Sequence, residues 1–272
     1  MAKKNIGIYS NLESTSNNKV EDLYLIVDNN NIVFSVKHKK TNEFVAFEHF
    51  ANNQDNTWWH QLVAYLQNNS KLIHGIYGNV FFVWNSTRFI LTNKLQKEDT
   101  LIYLDELNMV HGKSREEELY LTPFNDQLII AFTVPDALST LLSRSFPTGK
   151  WHHYAEYVLA KNADNEALVY LFDNNYCLRV VKDSKTQLIK YFPIEGVDQD
   201  CFQLLNACSN AHLDTNLSTL KVWGYNAIQH EFINKIAPYF LAGEIVEPPN
   251  TGIGTSLNTS YPQNIYSTYF IF

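Results

Sequence analysis

Residues 23–47 of this 272-residue chain hold three short apolar runs separated by two polar turns, and the pattern returns 145 positions later without a gap. Leu23-Tyr-Leu-Ile-Val27 stops at Asp28-Asn29-Asn30-Asn31, and Ile32-Val-Phe-Ser-Val36 runs on to Lys39-Lys40-Thr41-Asn42. The second copy, Phe172 to Ile189, repeats Asp28, Asn29, Asn30, Val36, Lys37, Lys40 and Thr41 as Asp173, Asn174, Asn175, Val181, Lys182, Lys185 and Thr186. β-Branched and aromatic runs that end at Asp/Asn and Lys/Asn turns predict a three-strand antiparallel meander. Two such meanders in one chain predict two similar halves.

Beyond each meander the chain is predicted to turn helical and then extended. Asn56-Thr57 can cap a helix in which Trp58, Trp59, Leu62, Val63, Tyr65 and Leu66 recur near the 3.6-residue period. Val80–Trp84 is an unbroken apolar run suited to a strand buried on both faces. Arg88–Thr92, Leu119–Thr122 and Leu128–Val134 read as further strands, and residues 97–110 as a helix. Pro135 and Asp136 open a helix with Leu138, Leu141, Leu142 and Phe146 on one side, and a second helix is expected over 151–161. In the second half a helix starts at Asp198 or Gln199 and carries Cys201, Leu204, Leu205 and Cys208. Leu220–Gly224 is a strand and turn whose Val222-Trp223 echoes Val83-Trp84, and Asn226 can cap a last helix carrying Ile228, Phe232 and Ile236. Each half thus reads βββαβα. Hairpins leading into a helical crossover imply a mixed sheet, with helices over both faces. The expected divisions are a polar arm or short edge strand at 1–20, halves at 21–134 and 135–247, and a tail at 248–272.

Composition narrows the function classes. A formal charge of −7 with dispersed Lys and Arg argues against a nucleic-acid surface. Three cysteines, Cys177, Cys201 and Cys208, form neither a disulfide framework nor a paired metal motif, and are expected as buried thiols. The N-terminus lacks a signal-length apolar run, and no window reaches the roughly 20 apolar residues that span a bilayer. Cytoplasm is therefore the expected compartment, where the Asn-x-Ser/Thr triplets at Asn85, Asn216 and Asn258 carry no meaning.

Several features resemble a family of uncharacterised bacterial proteins assigned the actin-like ATPase fold of the actin, Hsp70 and sugar-kinase superfamily. They are Tyr24–Asp28 with Phe34-Ser-Val, Thr133-Val-Pro135 to Phe146-Pro147, His153–Leu159 and Leu220–Gly224, in that order and spacing, so the resemblance covers about 21–247. It implies an α/β fold of duplicated ribonuclease H-like βββαβα halves. It also implies a nucleotide cleft, with ATP and Mg as cofactor in active members. There the first turn of each half carries Asp-x-Gly, the glycine admitting phosphate against bare backbone. The matching turns here are Asp28-Asn29-Asn30 and Asp173-Asn174-Asn175, without glycine, and the adenosine turn has only Gly224 before Tyr225. Asp28, Asn30, Asp173, Asn175 and Gly224 are therefore vestigial nucleotide-cleft candidates. No catalytic residue, cofactor or metal is assigned. The alternative is an ATP-binding switch that uses Asp28, Asp173 and the Gly224 turn; a weaker one is small-molecule sensing in the cleft.

Other candidates have plainer readings. Asp-Asn pairs serve hairpin turns for geometry alone. His152-His153, placed on a helix, would point about 100° apart and not chelate together. Of Trp58 and Trp59, one is expected in the core and one at a rim. The tail alternates large side chains on both faces, so Tyr266, Tyr269, Phe270 and Phe272 are candidates either for docking on their own sheet or for a partner. The expected function is a non-catalytic actin-fold protein that acts through protein partners or self-association.

Overall fold

The computed structural model describes residues 2–9, 20–52, 59–94, 100–114, 116–224, 229–246 and 268–272. The chain divides into two compact units, residues 1–156 and 157–272. In chain order the first contains β1 (Ala2–Tyr9), β2 (Glu21–Val27), β3 (Asn31–His38), β4 (Phe44–Asn52), α1 (Trp59–Asn69), β5 (Asn79–Trp84), β6 (Phe89–Asn93), α2 (Thr100–His111), β7 (Glu117–Pro123), β8 (Leu128–Pro135), α3 (Asp136–Ser145) and β9 (Lys150–His153). The division falls within α4 (Tyr154–Ala160). The second unit continues with β10 (Glu166–Leu171), β11 (Asn175–Lys182), β12 (Lys185–Pro193), α5 (Val197–Asn210), β13 (Thr219–Trp223), α6 (Gln229–Ile236) and β14 (Ala242–Ile245).

Both meanders form. In the first unit β2, β3 and β4 pair antiparallel, β5 lies parallel to β2, and β9 lies parallel to β5. The resulting order is β1-β4-β3-β2-β5-β9. In the second unit the order β12-β11-β10-β13-β14 repeats the last five positions, again antiparallel through the meander and parallel from β10 to β13 and β14. A parallel neighbour on one side and an antiparallel one on the other leave β2 and β10 central, and their side chains are buried almost throughout. The second unit's core joins Val169, Leu171, Leu178 and Val180 of the sheet to Leu204 and Cys208 of α5 and Phe232 and Ile236 of α6. All three cysteines are buried and unbridged.

Four expectations are revised. The boundary lies after Glu156 and not after Val134, because Lys150–His153 completes the first sheet by pairing with Phe81–Trp84. That segment is a strand, so the helix expected from Trp151 begins at Tyr154. A fifth strand also closes the second sheet at Ala242–Ile245, which extends βββαβα by one element. Finally, a separate antiparallel sheet, β6-β8-β7, with α2 beside it, is inserted between β5 and α3.

Residues 2–9 take the edge-strand form of the two expected for the N-terminus. Strand β1 pairs antiparallel with β4 and is fastened by the buried Glu48. The Glu48 carboxylate accepts from Lys4 Nζ at 2.5 Å, Lys71 N at 3.0 Å, and the hydroxyls of Tyr9 and Ser70. At the opposite edge, Trp151 and His153 of β9 meet the inserted sheet. The Trp151 ring centroid lies 5.7 Å from that of Tyr120, and the His153 ring lies 4.4 Å from Phe89 and 5.3 Å from Phe132.

Candidate functional site

The β2–β3 turn is closed from inside. Asp28 N–H donates to Asn31 O at 3.0 Å, and Asp28 Oδ1 accepts the backbone N–H groups of Asn30 and Asn31 at 2.7 Å each. Asn31 Nδ2 lies 3.3 Å from both carboxylate oxygens. With its amide turned to Asp28, Asn31 presents Oδ1 to His49 Nε2 at 2.9 Å, which assigns the proton to Nε2. Burial in β4 lowers the His49 pKa to about 4, so the ring is neutral at pH 7. Asp28 is only 9% exposed. Its carboxylate accepts from its own turn, as Asp commonly does in Asx turns.

In the second unit the corresponding turn is displaced by one residue from the sequence repeat. Val27 pairs with Ile32 in the first hairpin and Leu171 with Tyr176 in the second, so Leu171 stands 144 positions after Val27. Phe172 N–H donates to Asn175 O at 2.8 Å, the bond that Asp28 makes to Asn31. Phe172 thus occupies the place of Asp28, Asp173 that of Asn29, and Asn175 that of Asn31. The expected equivalence of Asp28 and Asp173 is corrected accordingly. Backbone ladders set the pairing, and Asp-Asn-Asn can supply a bend at either offset. Phe172 is buried with its ring 6.2 Å from Tyr269, whereas Asp173 is half-buried. Gly224 is buried at the end of β13; Tyr225 and Asn226 lie outside the described residues.

A cavity of about 940 Å³ opens within the first unit, at the carboxyl ends of β2 and β5. Asn29, Trp59, Trp84 and Thr87 line it together with Asp136, Thr140 and Arg144, spaced four apart on α3 and hence on one face of it. Two arginines line it and behave differently. Arg88 is fully engaged: Nε donates to Thr133 Oγ1 at 3.0 Å and lies 3.1 Å from Glu117, Nη1 donates to Gly112 O at 2.7 Å, and Nη2 to Asn108 Oδ1 at 2.8 Å. Arg144 is exposed, without an acidic partner among the described residues. The cavity is not legible in the sequence. Its residues come from Asn29 to Arg144 with no motif spacing, and only the sheet's crossover assembles them.

The remaining candidates take structural places. Tyr269, Phe270 and Ile271 are buried in the second unit, and the half-buried Phe272 meets Tyr157 edge-on at 4.5 Å. Tyr269 and Phe270 therefore do not form a partner surface, because burial removes them from reach; Tyr266 lies outside the described residues. His152 and His153 point to opposite sides of β9 as strand neighbours do. His152 Nδ1 pairs with Glu156 at 2.9 Å, and the buried His153 Nε2 sits 3.1 Å from Ser86 O. Trp59 is buried; Trp58 lies outside the described residues. Among the described residues no group of three or more His, Cys, Asp or Glu is placed to hold a metal ion, and no helix is long and apolar enough to cross a membrane.

A family profile described as "Protein of unknown function (DUF3822)" matches residues 10–242. The chain belongs to the DUF3822 family. No curated protein matches it. Among solved structures, the DUF3822 chain is similar to a Bacteroides thetaiotaomicron protein with actin-like ATPase fold and unknown function. The TM-score is 0.74 at 14% identity, over 89% of this chain and 96% of that one. Weaker likenesses are to the ethanolamine utilization protein EutJ of Carboxydothermus hydrogenoformans (TM-score 0.49, 8% identity, 91% and 89% covered) and the cytoplasmic domain of EpsL, from the type II secretion system of Vibrio cholerae (0.46, 13%, 75% and 81%). The DUF3822 chain has the actin-like ATPase fold.

Proposed function

We propose that this DUF3822 chain is a non-catalytic actin-fold protein of the cytoplasm that works through protein partners, its phosphate-binding turns closed to nucleotide. One observation carries the reading. The carboxylate that would serve metal and water in an active relative is bound to the amides of its own turn, and the equivalent place in the second unit is filled by buried Phe172. No glycine relieves either bend. The test is thermal stability of the full chain titrated with Mg-ATP and Mg-ADP. A ligand at a hundred times its Kd adds about 2.7 kcal/mol. No shift at millimolar nucleotide is the expected result. A shift abolished by Asp28→Asn or Asp173→Asn, or measurable turnover, overturns the proposal.

A second reading, a small molecule held without phosphate contacts, is favoured by the cavity of the first unit, where Arg144 shares the lining with the aromatic pair Trp59 and Trp84. Stabilisation by a carboxylate metabolite that Arg144→Ala removes would establish it.

A further inference from the structure

Helix α2 has two dissimilar sides. Tyr103 packs with Ile129 and Ala131 of the inserted sheet, and Leu107 is buried. Arg88 fixes the helix from beneath through Asn108 and the carbonyls of His111 and Gly112. On the outward side Leu101, Ile102 and Met109 are 66%, 42% and 83% exposed. At about 100° per residue, Leu101, Asp105, Met109 and Ile102 fall in that order within about 100° of arc. The stripe is apolar at both ends, which lie about 12 Å apart along the axis at 1.5 Å per residue. Asp105 stands midway between Leu101 and Met109. Asp105 is exposed, Glu106 beside it is half-buried, and neither has a cationic partner among the described residues.

Resting on the interaction reading above, we propose that this stripe is where the chain receives a partner protein's amphipathic helix carrying Lys or Arg between two apolar anchors. Recognition of one helix face by another reads anchors three to four and seven to eight residues apart. Charge selects the occupant. Asp105 is the midpoint of the stripe, so two copies paired about a two-fold axis would set Asp105 against its mate, and each copy carries a net charge of −7. An anionic lipid surface is repelled for the same reason. A partner cation instead finds Asp105 and Glu106 with apolar contacts on either side. Three anchors form a small patch, which fits a transient complex.

The test uses the full chain and two fluorescein-labelled, alanine-rich helical peptides, one with Leu-x-x-x-Arg-x-x-x-Leu and one with Glu in place of Arg. Fluorescence polarisation should show the Arg peptide binding at least about tenfold more tightly, as expected when a charge pair turns into a like-charge contact. Asp105→Lys should reverse the preference. Met109→Ser should weaken both peptides without changing the melting temperature, because Met109 is exposed. Equal binding of the two peptides, or binding of neither at millimolar concentration, overturns the proposal. So does a dimer in sedimentation, or adhesion to phosphatidylglycerol vesicles, that Met109→Ser abolishes. A nucleotide-dependent stabilisation would sink the non-catalytic reading and leave these peptide measurements standing. A flat nucleotide titration with no peptide preference sinks the docking face alone.

Discussion

Glu48 and Lys190 occupy the same ladder position in the two units. Phe34 pairs with Glu48, and Leu178, 144 residues on from Phe34, pairs with Lys190. Glu48 is buried because β1 lies across the outer edge of β4 and brings Lys4 and Tyr9 to its carboxylate. Lys190 is exposed because β12 is the last strand of its sheet among the described residues. The second unit protects its bare edge with the devices that discourage strand addition: Lys185, Lys190, an irregular register at Val180/Val181 and a terminal Pro193. The fifth strand shows the same contrast. In the first unit β9 abuts aromatic residues of the inserted sheet, whereas Ala242, Gly243 and Glu244 of β14 are exposed. A shared strand order therefore fixes which strands are central and leaves each edge to be solved by its own sequence.

The contrast is broken most directly at Glu48. Glu48→Ala strands the hydroxyls of Tyr9 and Ser70 and removes the ion pair that holds β1, and should cost about 3 kcal/mol or more in urea denaturation. Lys190→Ala should change stability by no more than about 0.5 kcal/mol, as surface substitutions usually do. Equal losses would show that β1 is not what distinguishes the two edges.

Acid should separate the units next. His49 and His153 are buried and neutral, with pKa values lowered to about 4 and about 3. An unfolded histidine titrates near 6.5, so below that pH the unfolded chain takes up protons that the fold refuses. Stability contributed by these groups is complete above about pH 6.5 and is lost as pH falls toward 4, by about 2 kcal/mol for each histidine at pH 5. Both lie in the first unit, whereas His212 of the second is exposed. Hydrogen exchange at pH 7 and pH 5 should show protection falling in β4 and β9 before β10 and β11. Uniform loss across both sheets would refute the assignment to these two side chains.

The meander, the crossover and most element positions are legible because each rests on local chemistry: β-branched runs, Asp/Asn bends, Pro135 at a helix start. The register of the repeat is not. Val36 and Val181 are both buried on strands whose two faces are covered, so a one-residue slip leaves apolar identities intact and invisible to a pattern of period two. Lys150–His153 reads as helical because four residues cannot display a strand period, and only pairing with Phe81–Trp84 makes them a strand. Glu48 gives no signal at all, because a lone acid in an apolar run becomes a buried anchor only when Lys4 and Tyr9 arrive from another strand. The site divides likewise: Asp28 is visible as a turn residue, but the bond from His49 to Asn31 that backs the turn requires the third strand of the meander.

The subtlest difference between the units, one residue of register at the first turn, has a measurable consequence. Under the 145-residue repeat Asp28 and Asp173 would do equal work, and replacing either by Asn would cost the same. Under the pairing observed, Asp28 Oδ1 accepts two backbone N–H groups at 2.7 Å, while the position of Asp28 in the second turn belongs to Phe172. Hydrogen bonds to a charged acceptor contribute about 1.5–3 kcal/mol, and Asn retains one uncharged acceptor oxygen, so Asp28→Asn should cost about 1 kcal/mol and Asp173→Asn less than half of that. Equal costs at the two positions would restore the 145-residue equivalence and with it the case for paired carboxylates as a functional feature.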